Sequence, residues 1–193
     1  MTKNVSQREL QDLRAIHDSG GVRIVFEWPQ GEAFVRVVRV PATQPVATCD
    51  PLPNGTLLTH DEYKQRGGYI PPGEVGRFTF QFPPYINQLT CITARGRIDL
   101  QLRRKRGWGA WTAYIMKVHV SAQVPAGVLG YKKIAAVSAT KGDLCPDMVY
   151  SFDEPLHMGN TTRHILTKKN ERLAFFIADE THRDIYDLFM QYK

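Results

Sequence analysis

The sequence has little cysteine, no long apolar segment and no glycine-rich phosphate-binding motif, and each absence excludes a class of protein. Three cysteines in 193 residues, Cys49, Cys91 and Cys145, are too few and too far apart for a disulfide framework or a zinc cluster. No uncharged apolar run is long enough for a transmembrane helix. The patterns GxxxxGK[ST] and GxGxxG are missing, so nucleotide hydrolysis on a P-loop is not expected.

Neither end of the sequence contains a recognisable targeting motif. The first nine residues are polar and hold no signal-peptide core, and the last residues form no lipidation motif. These features predict an intracellular, cytoplasmic protein, with a virion or a membrane surface as alternative locations. The chain is 42% hydrophobic and 23% charged, which is typical of a globular protein that builds its core without a metal or cofactor. We therefore predict no metal and no cofactor.

Charge is concentrated in the middle of the chain. Residues 95–133 hold nine basic residues and one acidic residue, a charge of +8, and the other 16 basic and 18 acidic residues leave −2. The formal net charge of +6 thus understates the local positive field.

Hydrophobic periodicity predicts a β-rich fold, all-β or α+β, arranged as an antiparallel sandwich or barrel with a short helix near each terminus. Strands are expected at 22–28 and 33–40, paired as a hairpin, and at several places after residue 77, because apolar and polar residues alternate there. Ser6 and Glu9 form a capping box before an amino-terminal helix, and Thr181 begins a carboxyl-terminal helix with an apolar stripe of Ile185, Leu188, Phe189 and Tyr192.

Proline divides the sequence. Eight of the twelve prolines fall within 41–84, and this segment is interrupted by a second capping box, Thr59 with Glu62, before Gly67 and Gly68. We predict a single domain, 1–193. The alternative is a helix-hairpin unit, 1–40, joined by a proline-rich connection, 41–76, to a β body, 77–193.

The strongest candidate site is a predicted hairpin from Arg97 to Val120 with a basic, tryptophan-containing tip. Four adjacent cations at the tip have only Asp99 as a nearby acid, so they favour a polyanion, and tryptophan stacks on unpaired bases. A solvated edge hairpin would show the same charges. The predicted contacts to nucleic acid or anionic lipid are Arg95, Arg97, Arg103, Arg104, Lys105, Arg106 and Trp108, widened by Lys117, Lys132 and Lys133 if the strands lie side by side.

These observations predict a non-enzymatic binding or structural protein whose partner is RNA or a ribonucleoprotein. Viral coat, matrix and movement proteins include small basic β proteins of this kind, an analogy of fold class only. The alternative is a peripheral protein of anionic membranes that forms homo-oligomers through the carboxyl-terminal stripe.

A weaker alternative is an enzyme with a dispersed cysteine and histidine site, for example Cys145 with His157 or His164. No pair of histidines at helical spacing and no CxxC pair predicts a metal site. The sequence thus contains no catalytic signature.

Overall fold

A computed structural model describes residues 8–18, 21–43, 55–105, 107, 109–135 and 149–193. The chain divides into two compact units, Met1–Ala94 and Arg95–Lys193. Both are built from β-sheets, which confirms the predicted β-rich class, and within the described residues no sheet closes into a barrel. No helix in this part of the chain has the length and apolar character to cross a membrane.

Within the described residues, the first unit contains six strands and one helix. Its elements are β1 (Arg14–Asp18), β2 (Gly21–Val25), β3 (Phe34–Pro41), β4 (Thr56–Thr59), α1 (His60–Arg66), β5 (Gly76–Gln81) and β6 (Gln88–Ala94). One sheet has the order β4-β3-β5-β6, and β1 pairs with β2 in a separate ribbon. The core forms because alternate residues such as Val35, Val37, Phe78 and Phe80 turn the same way and are buried.

Helix α1 is short and closed at both ends. The Thr59 side chain accepts a hydrogen bond from the backbone of Glu62, the Glu62 carboxylate accepts one from the backbone of Thr59, and Gly67 ends the helix in the left-handed conformation. The second capping box of the sequence therefore predicts this helix correctly.

The second unit contains two sheets in the part of the chain that the structure describes. Its strands are β7 (Gly96–Lys105), β8 (Trp111–Val120), β9 (Leu129–Ala135), β10 (Val149–Ser151), β11 (Gly159–Lys168), β12 (Glu171–Ile177) and β13 (Tyr186–Tyr192). The four-stranded sheet has the order β11-β8-β7-β13 and the three-stranded sheet the order β10-β9-β12. Both sheets bury one face, with Leu100 and Met116 on the first and Leu173 and Phe175 on the second, as in a sandwich.

The predicted amino-terminal helix is wrong over the described residues. Arg14–Asp18 is a strand, paired with Gly21–Val25, and Asp12 has a φ of 54°, which an α-helix does not accommodate. Leu10 and Leu13 have helical spacing, but Leu10 donates its backbone N–H to the Asn87 side chain instead of to a helical carbonyl.

The predicted carboxyl-terminal helix is also wrong. Only a three-residue 3-10 turn, Glu180–His182, forms there, capped by Asp179, and Tyr186–Tyr192 is strand β13, parallel to β7. Side chains alternate along a strand, so Phe189 lies on the face opposite to Leu188 and Tyr192. The expected apolar stripe therefore does not exist, and the subunit contact predicted through it has no helix to carry it.

The predicted hairpin of 22–28 with 33–40 does not form either. β2 pairs with β1, and Ile24 exchanges two backbone hydrogen bonds with Tyr69, both of 2.8 Å. β3 pairs instead with β4 and β5. Both segments contain strands, but their partners differ from those predicted.

Candidate nucleic-acid interface

The β7–β8 hairpin forms as the sequence predicts and provides the centre of the four-stranded sheet. Ile98, Leu100 and Leu102 of β7 are buried on one face, together with Met116 and Val118 of β8. The residues between them face solvent, so the charged side chains of this hairpin are sorted by position in the strand rather than by proximity in sequence.

Strand register places side chains from all four strands on the solvent face, which we call the outer sheet face. Across the strands, one row is Asn160, His119, Asp99 and Phe189. The next row, two residues along each strand, is Thr162, Lys117, Gln101 and Gln191.

The basic end of the outer sheet face lies beyond these two rows. Lys193 follows the end of β13, and its backbone N–H donates to the Leu102 carbonyl at 2.9 Å, beside Arg103. Lys105 comes two residues after Arg103, and at the hairpin end Lys168 of β11 lies opposite Trp111.

The cations of the predicted site differ in how far they are neutralised. The Arg97 Nε donates to both Asp99 carboxylate oxygens, at 3.0 and 2.9 Å, and its guanidinium lies over the Phe189 ring, 4.3 Å from the centroid. These hydrogen bonds hold the pKa of the Asp99 carboxyl below its ordinary value, with a smaller contribution from His119. Arg95 pairs with Asp187 at 3.5 Å.

Arg103, Lys105 and Lys117 are exposed on the outer sheet face and make no ion pair with any residue that the structure describes. Lys117 lies between Thr162 and Gln101, which are uncharged. Lys168 and Lys193 join them, and neither was predicted from the sequence. Their positions follow from pairing between strands far apart in the sequence, which no local pattern contains.

A depression of about 220 Å³ on this face is lined by Gln101, Leu102, Arg103, Ile115, Lys117 and Lys193, and we call it the basic depression. Three cationic side chains and no acidic side chain line it. Like charges held this close repel one another, and an anion placed among them lowers that energy.

A second depression, of about 390 Å³, adjoins the first and shares Gln101 with it; we call it the polar depression. His119 and Asn160 line one side, Phe189 and Gln191 the other, with Asp99 and Gln101 between them and Arg97 over Phe189. His119 Nδ1 and Asn160 Oδ1 are 3.1 Å apart.

The remaining predicted site residues lie elsewhere. Arg104 is on the opposite side of β7, across from Tyr114, and donates to the Lys169 carbonyl at 3.0 Å. Lys132 and Lys133 belong to the three-stranded sheet and lie over Phe176 and Tyr150, at 6.0 and 4.8 Å from the ring centroids. They do not extend the outer sheet face. Arg106 and Trp108 are outside the described residues.

The described residues offer little for cysteine or metal chemistry. Cys91 is buried, and its desolvation raises the pKa of the thiol, which disfavours the nucleophilic thiolate. Cys49 and Cys145 are outside the part of the chain that the structure describes. Within that part, no group of three or more histidine, cysteine or acidic side chains is placed to hold a metal ion.

Comparisons with known proteins identify no relative of the chain. No protein-family model, curated protein or solved structure matches the chain. The geometry of the outer sheet face is therefore the basis on which we infer a function.

Proposed function

We propose that the protein binds single-stranded RNA on the outer sheet face and acts as a binding protein rather than an enzyme. One observation carries the proposal: Arg103, Lys117 and Lys193 converge on the basic depression with no acidic side chain among its lining residues. A phosphate diester supplies the missing negative charge, and the released counterions add to the affinity.

The dimensions of the sheet favour a single strand over a duplex. Four strands at about 4.8 Å spacing place the outer strands about 14 Å apart, which is wider than the roughly 12 Å major groove of B-form DNA. A-form RNA has a still narrower major groove. Unpaired bases, in contrast, can lie flat on an open sheet and stack on its aromatic side chains.

The side chains between the aromatic residues favour RNA over a lipid bilayer. Trp111 and Phe189 are at opposite ends of the outer sheet face, with Gln101 and Thr162 among the residues between them. Insertion into lipid would remove these polar groups from water without a hydrogen-bonding partner, which is costly. The groups of a nucleotide can pair with them.

The test is fluorescence anisotropy of a labelled twelve-nucleotide single-stranded RNA with the full chain. Exchanging Arg103→Glu and Lys117→Glu together removes two phosphate contacts and adds two repelling charges, so we expect affinity to fall by at least about tenfold at ~0.1 M salt. The matched control is Arg14→Glu with Arg36→Glu, two exposed strand residues of the first unit with the same change in net charge.

Equal losses in the two double variants would contradict the proposal, since they would show a response to net charge alone. Unchanged affinity in the first variant would contradict it as well. Vesicles containing anionic lipid form a second arm. Binding to vesicles but not to RNA would replace the proposal with the membrane alternative.

A further inference from the structure

The polar depression lies beside the basic depression, and this adjacency carries an inference that rests on the proposed function. Gln101 lines both depressions, so a ligand group in one lies about one residue away from a ligand group in the other. A nucleotide consists of an anionic phosphate and a flat polar base joined by a sugar. The two depressions differ in a similar way: cations line the first, while amides, an imidazole, an aromatic ring and the mutually neutralised Arg97–Asp99 pair line the second.

One wall of the polar depression is suited to stacking. The Phe189 ring is half exposed, and the Arg97 guanidinium over it is held in place by hydrogen bonds to Asp99. Bases stack on aromatic rings and on guanidinium planes alike. Because Asp99 fixes Arg97, this platform is arranged before a ligand arrives, and binding loses less side-chain entropy.

The opposite wall is suited to hydrogen bonding with a base edge. An amide oxygen only accepts, so in the contact with Asn160 Oδ1 the proton is on His119 Nδ1. In the neutral ring His119 Nε2 is then an acceptor, and the Asn160 amide nitrogen keeps its donors.

Gln101 and Gln191 add a donor and an acceptor each. Neither side chain hydrogen-bonds to any residue that the structure describes. The wall therefore offers donors and acceptors side by side, as a base edge does.

We propose that the polar depression receives one base of the bound strand, while the adjoining phosphate lies in the basic depression. The base stacks on the Arg97 guanidinium, which the Phe189 ring supports from beneath, and Asn160, Gln101 and Gln191 contact its edge. The protein then binds RNA through bases as well as phosphates and distinguishes between bases.

The test compares four twelve-residue RNA polymers by fluorescence anisotropy: oligo-U, oligo-A, oligo-C and an abasic ribose-phosphate of equal length. The abasic polymer keeps every phosphate and lacks every base. We expect it to bind about tenfold more weakly than the best homopolymer, since stacking of one base is lost. We also expect the three homopolymers to differ among themselves by about fivefold or more.

Two variants locate the effect. Phe189→Leu keeps an apolar side chain without the ring and should remove most of the difference between abasic and base-containing polymers, whereas Phe189→Tyr should restore it. Asn160→Ala with Gln191→Ala should reduce the differences among homopolymers and leave the salt dependence unchanged. These two positions are exposed, so this variant carries the test if Phe189→Leu fails to fold, which circular dichroism and Tm would reveal.

The outcomes separate this inference from the proposed function. Equal affinity for the abasic polymer and the homopolymers would overturn the inference and leave RNA binding intact. Base preference that survives both Phe189→Leu and the amide variant would place base contacts elsewhere and overturn it too. No binding to any of the four polymers would overturn the proposed function itself.

Discussion

The basic segment 95–133 is divided between two sheets of the second unit, and its lysine side chains have different surroundings on the two sheets. On the three-stranded sheet, Lys132 and Lys133 each lie over an aromatic ring. On the outer sheet face, Lys117 has uncharged neighbours on both sides. A lysine over a ring is already partnered and contributes to stability, while one on the open face keeps its charge for a ligand. Charge in the sequence is therefore not the same quantity as charge available for binding.

The largest expected effect is that two double variants lose different properties: one loses stability and the other loses RNA affinity. Lys132→Glu with Lys133→Glu places carboxylates over the negative faces of two rings and should lower the free energy of unfolding by about 1–2 kcal/mol. RNA affinity should stay within about threefold at ~0.15 M salt. Arg103→Glu with Lys117→Glu should instead change unfolding by less than about 0.5 kcal/mol.

Urea denaturation and anisotropy on both double variants measure this prediction. Loss of RNA binding in the Lys132 and Lys133 variant, without unfolding, would mean that the three-stranded sheet also binds RNA. The comparison between the two sheets would then fail.

The salt dependence of RNA affinity should count the phosphates held by the basic depression. For single strands each phosphate contact contributes about 0.7 to the slope of log K against log salt. Changing Arg103, Lys117 and Lys193 to alanine should remove the contact with the one phosphate that they hold and therefore reduce the slope by about 0.7. Lys132→Ala with Lys133→Ala should leave the slope as it is. A slope unaffected by the triple change would show that the depression holds no phosphate.

A smaller effect is expected from Asp99→Asn, which converts a neutralised cation into an available one. Asparagine keeps the shape of aspartate but not the charge that pairs with Arg97. RNA affinity should rise, by up to about fivefold, the range of an exposed ion pair. Titration by anisotropy measures it, with Asp187→Asn, the partner of Arg95, as the comparison. A decrease with Asp99→Asn would mean that losing the hydrogen bonds that hold Arg97 in place costs more affinity than the freed charge adds.

The smallest expected effect is on the pKa of the Asp99 carboxyl, which governs how the Arg97–Asp99 pair responds to acid. The pKa of Asp99 is lowered, chiefly because Arg97 donates hydrogen bonds to its carboxylate. A lowered pKa means that the pair is fully formed above the ordinary aspartate pKa and is lost only as pH falls through the lowered value. Arg97→Gln should raise the pKa of Asp99 toward its ordinary value in a carbon-13 NMR titration. No rise would assign the shift to another group.

Local patterns predicted the elements of this fold where the signal is local. The capping box of Thr59 and Glu62 specifies α1, and alternation in β7 and β8 specifies their hairpin, since both depend on residues close in sequence. The β-rich class follows from the same alternation. The two terminal helices were wrong because Leu10 and Leu13, or Ile185 and Leu188, fit helical spacing. The backbones of Leu10, Ile185 and Leu188 pair instead with partners distant in sequence.

The candidate site was predicted in part for the same reason. Arg103, Lys105 and Lys117 lie on one face because the hairpin is local. Lys168, Lys193 and Phe189 reach that face through β11 and β13, and Lys132 and Lys133 leave it because β9 enters another sheet. Strand partners across such distances are set by how the whole unit packs, which periodicity does not encode.

The parallel pairing of β13 with β7 has a consequence for folding. Gly96 and Tyr186 are partners although about ninety residues separate them, and Phe189 is placed by the same pairing. Contacts this distant in sequence close late, because a long loop must lose its freedom before they form. We therefore expect one wall of the polar depression, and Lys193 of the basic depression, to reach their final positions last during folding. During synthesis and refolding, we expect the proposed RNA binding to appear only after the second unit is otherwise assembled, so that a partly folded chain would not capture ligand.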